Sequence, residues 1–114
     1  MYDHVGLKVT DVKGAVRFYQ AALEPLGHVL DGSGAAFGPK GQPALWLSEG
    51  KPGPIHVAFR ATDRKAVDRF HAAGLKAGGR DNGAPGLRAD YSPAYYAAFL
   101  IDPDGNNVEA VCLE

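Results

Sequence analysis

Several absences narrow this sequence before any motif does. There is a single cysteine, Cys112, so no disulfide can close within the chain, and a reducing compartment, the cytoplasm, is the expected location. There is no excess of positive charge: 12 Lys and Arg stand against 13 Asp and Glu, for a formal net charge of −1. No basic stripe of the kind a nucleic-acid binder presents is visible, so no nucleic-acid partner is expected. No apolar run approaches the ~18 residues of a membrane span, so no membrane partner is expected either. The opening residues Met1-Tyr2-Asp3-His4 lack a basic segment ahead of an apolar one, and an export signal is not expected. Glycine and proline, in contrast, are plentiful, and 15 Gly with 8 Pro predict many turns. A chain of 114 residues that is 46% apolar predicts one compact domain with a modest core, and its strand and helix patterns make it α+β.

The chain repeats itself. Shifted by 52 residues, residues 4–27 fall on residues 56–79 with 10 identities in 24 ungapped positions. His4 meets His56, Thr10-Asp11 meets Thr62-Asp63, Arg17-Phe18 meets Arg69-Phe70, and Gly27 meets Gly79. Such identity predicts duplication of one structural unit. The domain, residues 1–114, then consists of units 1–50 and 55–114 joined by Lys51-Pro52-Gly53-Pro54.

Each unit reads as βαβββ. A short alternating run, His4–Val9 or Ile55–Ala61, predicts a half-buried strand. Asp11 and Asp63 follow as helix N-caps, because a carboxylate accepts the orphan N–H groups of a first turn. Helical spacing then predicts helices over Asp11–Leu23 and Asp63–Ala73, with Gly27 and Gly79 just beyond them. Short strands come next, near Gly27–Leu30, Ala35–Gly38 and Ala44–Ser48 in the first unit. In the second they lie near Ala77–Arg80, Tyr95–Ile101 and Asn106–Leu113. The segment Asp81–Pro93 reads as a loop, and Asp102-Pro103-Asp104-Gly105 is strong turn chemistry.

Alternation along a strand sorts side chains onto two faces. Val5, Leu7 and Val9 share the face that packs under a helix, which sends His4 to the other. Val57 and Phe59 pack, which sends His56 away. Val108, Ala110 and Cys112 pack, which sends Glu109 away. Two neutral imidazoles and a carboxylate at symmetry-related positions form a ligand set for one divalent metal, Zn, Ni, Mn or Fe(II), with coordination positions left open. Cys112 reads as a buried inert thiol. Gly32-Ser33-Gly34 reads as a hairpin turn, and His28 and His71 read as surface residues.

These residues resemble a known family. Asp3-His4-Val5, Arg17-Phe18-Tyr19, His56-Val57-Ala58-Phe59 and Asp102-Pro103-Asp104-Gly105-Asn106-Asn107-Val108-Glu109 are similar, over the whole chain, to the vicinal oxygen chelate superfamily. That group contains glyoxalase I, fosfomycin-resistance enzymes, extradiol dioxygenases and bleomycin-resistance proteins. The resemblance implies two tandem βαβββ units forming an open, cupped mixed β-sheet barrel, with metal ligands His4, His56 and Glu109. The chain departs from glyoxalase I at the fourth ligand position, where Trp46 stands, or Leu45 if the turn prolines Pro39 and Pro103 are aligned. Neither binds a metal.

Within the cup that the resemblance implies, Trp46 is either an apolar wall for a substrate or simple packing. Of Tyr95 and Tyr96, one should face the cup, to hydrogen-bond a bound oxygen or act as a general acid. Arg88 is either a clamp for an anionic substrate or a solvated loop residue. The implied activity is metal-dependent lyase, isomerase or dioxygenase chemistry on a small substrate that chelates the metal through neighbouring oxygens. The alternative is metal-independent sequestration of a small molecule such as an antibiotic, as in bleomycin resistance. A half-cup has open edges and an apolar face, so a homodimer is expected, with cups completed at the interface as one arrangement.

Overall fold

The structure, a computed structural model, describes residues 2–114. The element order is β1 (Val5–Val9), α1 (Val12–Leu23), β2 (Val29–Leu30), β3 (Ala36–Gly38), β4 (Leu45–Glu49), β5 (His56–Arg60), α2 (Arg64–Lys76), β6 (Arg80–Leu87), β7 (Tyr96–Ile101) and β8 (Asn107–Cys112). A 3-10 turn, Glu24–Leu26, follows α1, and Gly27 closes it in the left-handed conformation at φ 83°. That position needs a residue without a Cβ. Asp63 caps α2 by accepting the N–H of Ala66 at 2.7 Å. Asp11 occupies the same position before α1 with extended backbone, but its carboxylate makes no cap hydrogen bond.

The two units share one topology. Strand order is β1-β4-β3-β2 in one sheet and β5-β8-β7-β6 in the other. In each, the first strand pairs in parallel with the fourth, and the remaining pairs are antiparallel. The duplication read from the sequence is therefore a duplication of structure. The sheets do not close into a barrel.

Both sheets and both helices contribute to a single core. Leu7, Val9, Leu45 and Leu47 from the first sheet join Phe59, Leu100, Val108 and Ala110 from the second, with Phe18, Leu23, Val67 and Phe70 from the helices. The faces carrying these residues look inward. By alternation, the opposite faces look away from the core. Ala36, Ala97 and Val111 are buried without belonging to that core, so the outer faces carry cover of their own.

Close packing around α2 depends on two glycines, Gly74 against β7 of its own unit and Gly79 against α1 of the other. A Cβ on Gly74 of α2 would lie 2.2 Å from Leu100 Cδ1, and one on Gly79 would lie 2.5 Å from Phe18 Cε1. The left-handed residue after α2 is thus Gly78, at φ 102°, whereas Gly79 is small because α1 presses on it. Gly74→Ala should gain up to about 1 kcal/mol of helix propensity. Overpacking against Leu100 should cost about 1–3 kcal/mol. A net loss, read as a lower urea midpoint at unchanged slope, is the expected result.

Three expectations need correction. The segment from Asp81 is not a loop: β6 runs to Leu87, and its register shifts between Asp81 and Gly83 and again before Gly86. Gly83, Pro85 and Gly86 are turn residues by composition, yet an edge strand with bulges tolerates them. His71 is not a surface residue. It is 8% exposed, and its Nε2 lies 2.9 Å from Asp81 Oδ1, which ties α2 to β6. Its repeat counterpart Tyr19 is likewise buried and donates to Asp102 at 2.5 Å. His28 is half-buried and packs edge-on against Phe59, with ring centroids 5.7 Å apart.

Candidate functional site

The outer face of the second sheet gathers the polar residues that alternation sends away from the core. β8 brings Glu109 there and β5 brings His56, and the parallel pairing sets Glu109 beside Ala58 and Asn107 beside His56. His56 Nε2 lies 3.0 Å from Glu109 Oε1. The other ring nitrogen, Nδ1, lies 3.0 Å from the carbonyl oxygen of Asn107. That carbonyl can only accept, so a ring bound to a metal through Nε2 would keep its proton on Nδ1, whereas without a metal the contact to Glu109 needs a proton on Nε2.

Glu109 is 2% exposed although it sits on the outer face. Its second oxygen, Oε2, accepts the hydroxyl of Tyr95. Burial and the neighbouring carboxylate push the Tyr95 phenol up to about 12, so it holds its proton and acts there as a donor. Phe99, directly across from Glu109 on β7, stacks beside His56 with centroids 6.4 Å apart. Tyr91 meets Tyr95 edge-on, with centroids 5.0 Å apart, and is 64% exposed. The result is a carboxylate and an imidazole in contact, framed by aromatic rings and open to solvent on the His56 side.

The residues named from the sequence distribute as follows. His56, Glu109 and Tyr95 come together. Tyr96 turns to the helix side, where it donates to Asp68 at 2.6 Å and lies under the Arg64 guanidinium. Arg88 lies at the end of β6 and folds back on it. Its Nη1 donates to Gly86 O at 2.9 Å and its Nη2 to Ala84 O at 2.8 Å, with the guanidinium 5.3 Å from the Phe99 ring centre. These carbonyls belong to the bulged stretch, and Arg88 is what satisfies them there. Trp46, 38% exposed, lies on the outer face of the first sheet, paired with Gly6 and Ala36.

His4 also belongs to the first sheet's side, just before β1, and its Nδ1 lies 2.8 Å from Asp3 Oδ1. Among the described residues, no group of three His, Cys, Asp or Glu side chains is placed to hold a metal ion. One chain therefore brings two of the three named ligands into contact, and the third stands just before β1 in the other unit. Phe99 and Asn107 were not singled out above, yet the same alternation reveals them, because Phe99 shares parity with Tyr95 and Asn107 with Glu109. Tyr91 carries no such signal, since it lies in a turn. No helix among the described residues is long and apolar enough to cross a membrane.

No protein-family model matches the chain, and no curated protein matches it. Solved structures do. A glyoxalase/bleomycin resistance protein from Albidiferax ferrireducens is 28% identical with a TM-score of 0.80, covering 98% of each chain. A glyoxalase/bleomycin resistance protein/dioxygenase family enzyme from Burkholderia phytofirmans is 18% identical with a TM-score of 0.72, again over 98% of each. A lactoylglutathione lyase from Agrobacterium tumefaciens is 23% identical with a TM-score of 0.65, over 96% of this chain and 90% of that one. The latter two likenesses speak to the fold alone.

Proposed function

We propose that this chain, whose fold is that of the glyoxalase/bleomycin resistance protein/dioxygenase superfamily, is a metal-dependent enzyme acting on a small substrate that chelates the metal through neighbouring oxygens. The observation that carries the reading is the 3.0 Å approach of His56 Nε2 to Glu109 Oε1, with Nδ1 already engaged by Asn107 O. An imidazole held by its other nitrogen, beside a carboxylate held by a phenol, is the donor pair and supporting shell of a transition-metal or zinc site. These residues fit a divalent metal, as two of the three ligands of the set.

The missing third ligand is assigned to a second copy. Each chain carries His4 and Trp46 toward the outer side of one sheet and His56 with Glu109 on the outer face of the other. A homodimer that sets unlike outer faces together would add His4 of the second copy to the pair, and Trp46 would arrive with it as an apolar wall. Such a metal, Zn, Ni, Mn or Fe(II), supplies Lewis-acid stabilisation of an oxyanion on the substrate. The chain's own residues do the rest. Asn107 O orients His56, Tyr95 holds Glu109 in place, and Phe99 with Tyr91 and Trp46 excludes water from the bound substrate. Lyase or isomerase chemistry and, with iron, dioxygenase chemistry all suit this arrangement. The single buried cysteine suits the cytoplasm.

Metal titration of protein purified without an affinity tag tests the reading. One ion per chain is expected, in a dimer by light scattering. His4→Ala and Glu109→Ala chains, each deficient alone, should regain binding when unfolded and refolded together, because each mixed dimer holds one intact site. If mixing restores nothing while the wild type binds, the ion is held within one chain and the shared site is wrong. If the wild type binds no metal, the second reading takes over: a metal-independent sequestering protein, favoured by the absence of a three-ligand group among the described residues.

A further inference from the structure

A cavity of about 180 Å³ opens between the two units, and neither His56 nor Glu109 lines it. Its walls are Val5, Phe37 and Leu45 of the first unit, Val57 and Phe59 of the second, and the His28 ring. β1 and β5, which supply Val5 and Val57, are the edge strands of their sheets, so the cavity lies where the two sheets meet without hydrogen-bonding to each other. Of its β5 lining residues, Val57 and Phe59 alternate with His56 and belong to the inward face, while Ala58, the register partner of Glu109, forms the margin toward the outer face.

His28 is the one polar side chain in this wall, and its placement is built. The left-handed Gly27 turns the chain after α1, and the His28 N–H then bonds to Leu23 O at 3.2 Å. The ring meets Phe59 edge-on. Its Nδ1 is buried with no hydrogen-bond partner. A buried polar atom left unpaired lowers stability, and its retention calls for an explanation. Burial also holds the imidazole's pKa below its ordinary value, so the ring is neutral and carries one proton. An orphaned buried N–H is rarer than an orphaned acceptor. The proton is accordingly assigned to Nε2, which is not among the fully buried unpaired atoms of the described residues and is the ring's donor in an otherwise apolar wall.

We propose that this cavity binds a small, uncharged, mainly apolar molecule bearing one carbonyl oxygen, which accepts a hydrogen bond from His28 Nε2. The volume suits a ligand of about 6–10 non-hydrogen atoms, given that an apolar cavity of about 150 Å³ takes up benzene. A ketone or aldehyde on an aryl or short alkyl group fits both the walls and the donor. An anion does not fit, because the described lining has no positive charge to accompany it.

Acetophenone and ethylbenzene make a suitable pair of probes, nearly equal in shape and differing in the carbonyl. Titrated into the isotope-labelled, metal-free protein, acetophenone should shift the resonances of Val5, Leu45 and Val57 saturably and leave Tyr91 and Tyr95 unmoved. Ethylbenzene should bind about tenfold more weakly, the effect of one net hydrogen bond. His28→Phe should bring acetophenone down to the level of ethylbenzene without lowering the thermal midpoint, since it removes the unpaired nitrogen. His28→Gln, which keeps an N–H, should restore part of the difference. Ala44→Leu, at the cavity margin, should weaken both probes together. The proposal is overturned if neither probe gives saturable shifts up to millimolar concentration. It is also overturned if the shifts centre on Tyr91, Tyr95 and Phe99, or if both probes bind equally to the wild type and the His28 variants.

Discussion

Replacing Glu109 with alanine is expected to abolish metal binding. Glu109 supplies the only carboxylate beside His56, and its side chain is almost wholly enclosed. Removing a residue that merely supports a ligand lowers metal affinity by roughly 10–100-fold, and the loss of a ligand should exceed that. Calorimetric titration of Zn²⁺ into the variant reads the effect directly. The stability consequence is separable. The variant leaves the Tyr95 hydroxyl and His56 Nε2 without their partner, but both face a site open to water, so a modest fall of about 1–2 kcal/mol is expected. Glu109→Gln preserves the shape and an oxygen while removing the charge. It should fold as the wild type does and bind metal far more weakly. If it bound metal with wild-type affinity, Glu109 would not be a ligand and the metal reading would fall.

Replacing Asp102 with alanine is expected to give the largest loss of stability in the molecule. Asp102 is 2% exposed and lies in the turn between β7 and β8. One carboxylate oxygen accepts the N–H of Asn106 at 2.8 Å and that of Asp104 at 2.9 Å. The other accepts the Asn106 side-chain amide at 2.8 Å and the Tyr19 hydroxyl at 2.5 Å. The last bond crosses from the second unit to the first, as does the bond from Thr10 N to Asp104 Oδ1 at 2.8 Å. Asn106 Oδ1 in turn accepts the N–H of Ile55 at 2.9 Å. Alanine would strand four donors, two of them side chains in the interior, and a cost of about 3–4 kcal/mol is expected. For a domain of this size that corresponds to a fall in thermal midpoint of roughly 12 °C or more. Asp102→Asn should recover part of this, since its oxygen can still accept while its amide confronts other donors. Tyr19→Phe removes one partner only and should cost less than either. A loss for Asp102→Ala below about 1 kcal/mol would mean that the turn repacks around the gap, and that the clasp does not join the units.

The elements of the fold were legible because local rules and burial agree along most of the chain. The period of the strands and helices, the Thr-Asp boundaries and the 52-residue repeat all follow from residues near one another in sequence. Errors fell where long-range packing overrides local chemistry. Gly83, Pro85 and Gly86 carry loop chemistry, yet pairing with β7 draws them into a bulged strand. His71 has the polarity of a surface residue, but Asp81 across the turn gives it a partner and makes burial tolerable. Arg88 is drawn back to the carbonyls that the bulge exposes, a need that only the register shift creates.

For the candidate site, alternation was enough to put His56 and Glu109 on one face and to send Tyr95 and Tyr96 to opposite ones. Which tyrosine went where was settled by tertiary partners, Glu109 for Tyr95 and Asp68 for Tyr96.

The sequence by itself determined that this protein is a duplicated βαβββ unit and that its chemical residues lie on the faces turned from the helices. Both follow from a period of two along strands and from identity between repeats. Only the tertiary structure decided how the two sheets stand to one another. Parity fixes a side chain's face within its own sheet and says nothing about the angle between sheets. That angle comes from α1 and α2 packing together, with Phe18 of α1 against Gly74 and Gly79, and from the Asp102 clasp on Tyr19. These contacts unite the inner faces in one core, and a single chain brings together His56 and Glu109 while His4 stands just before β1 in the other unit.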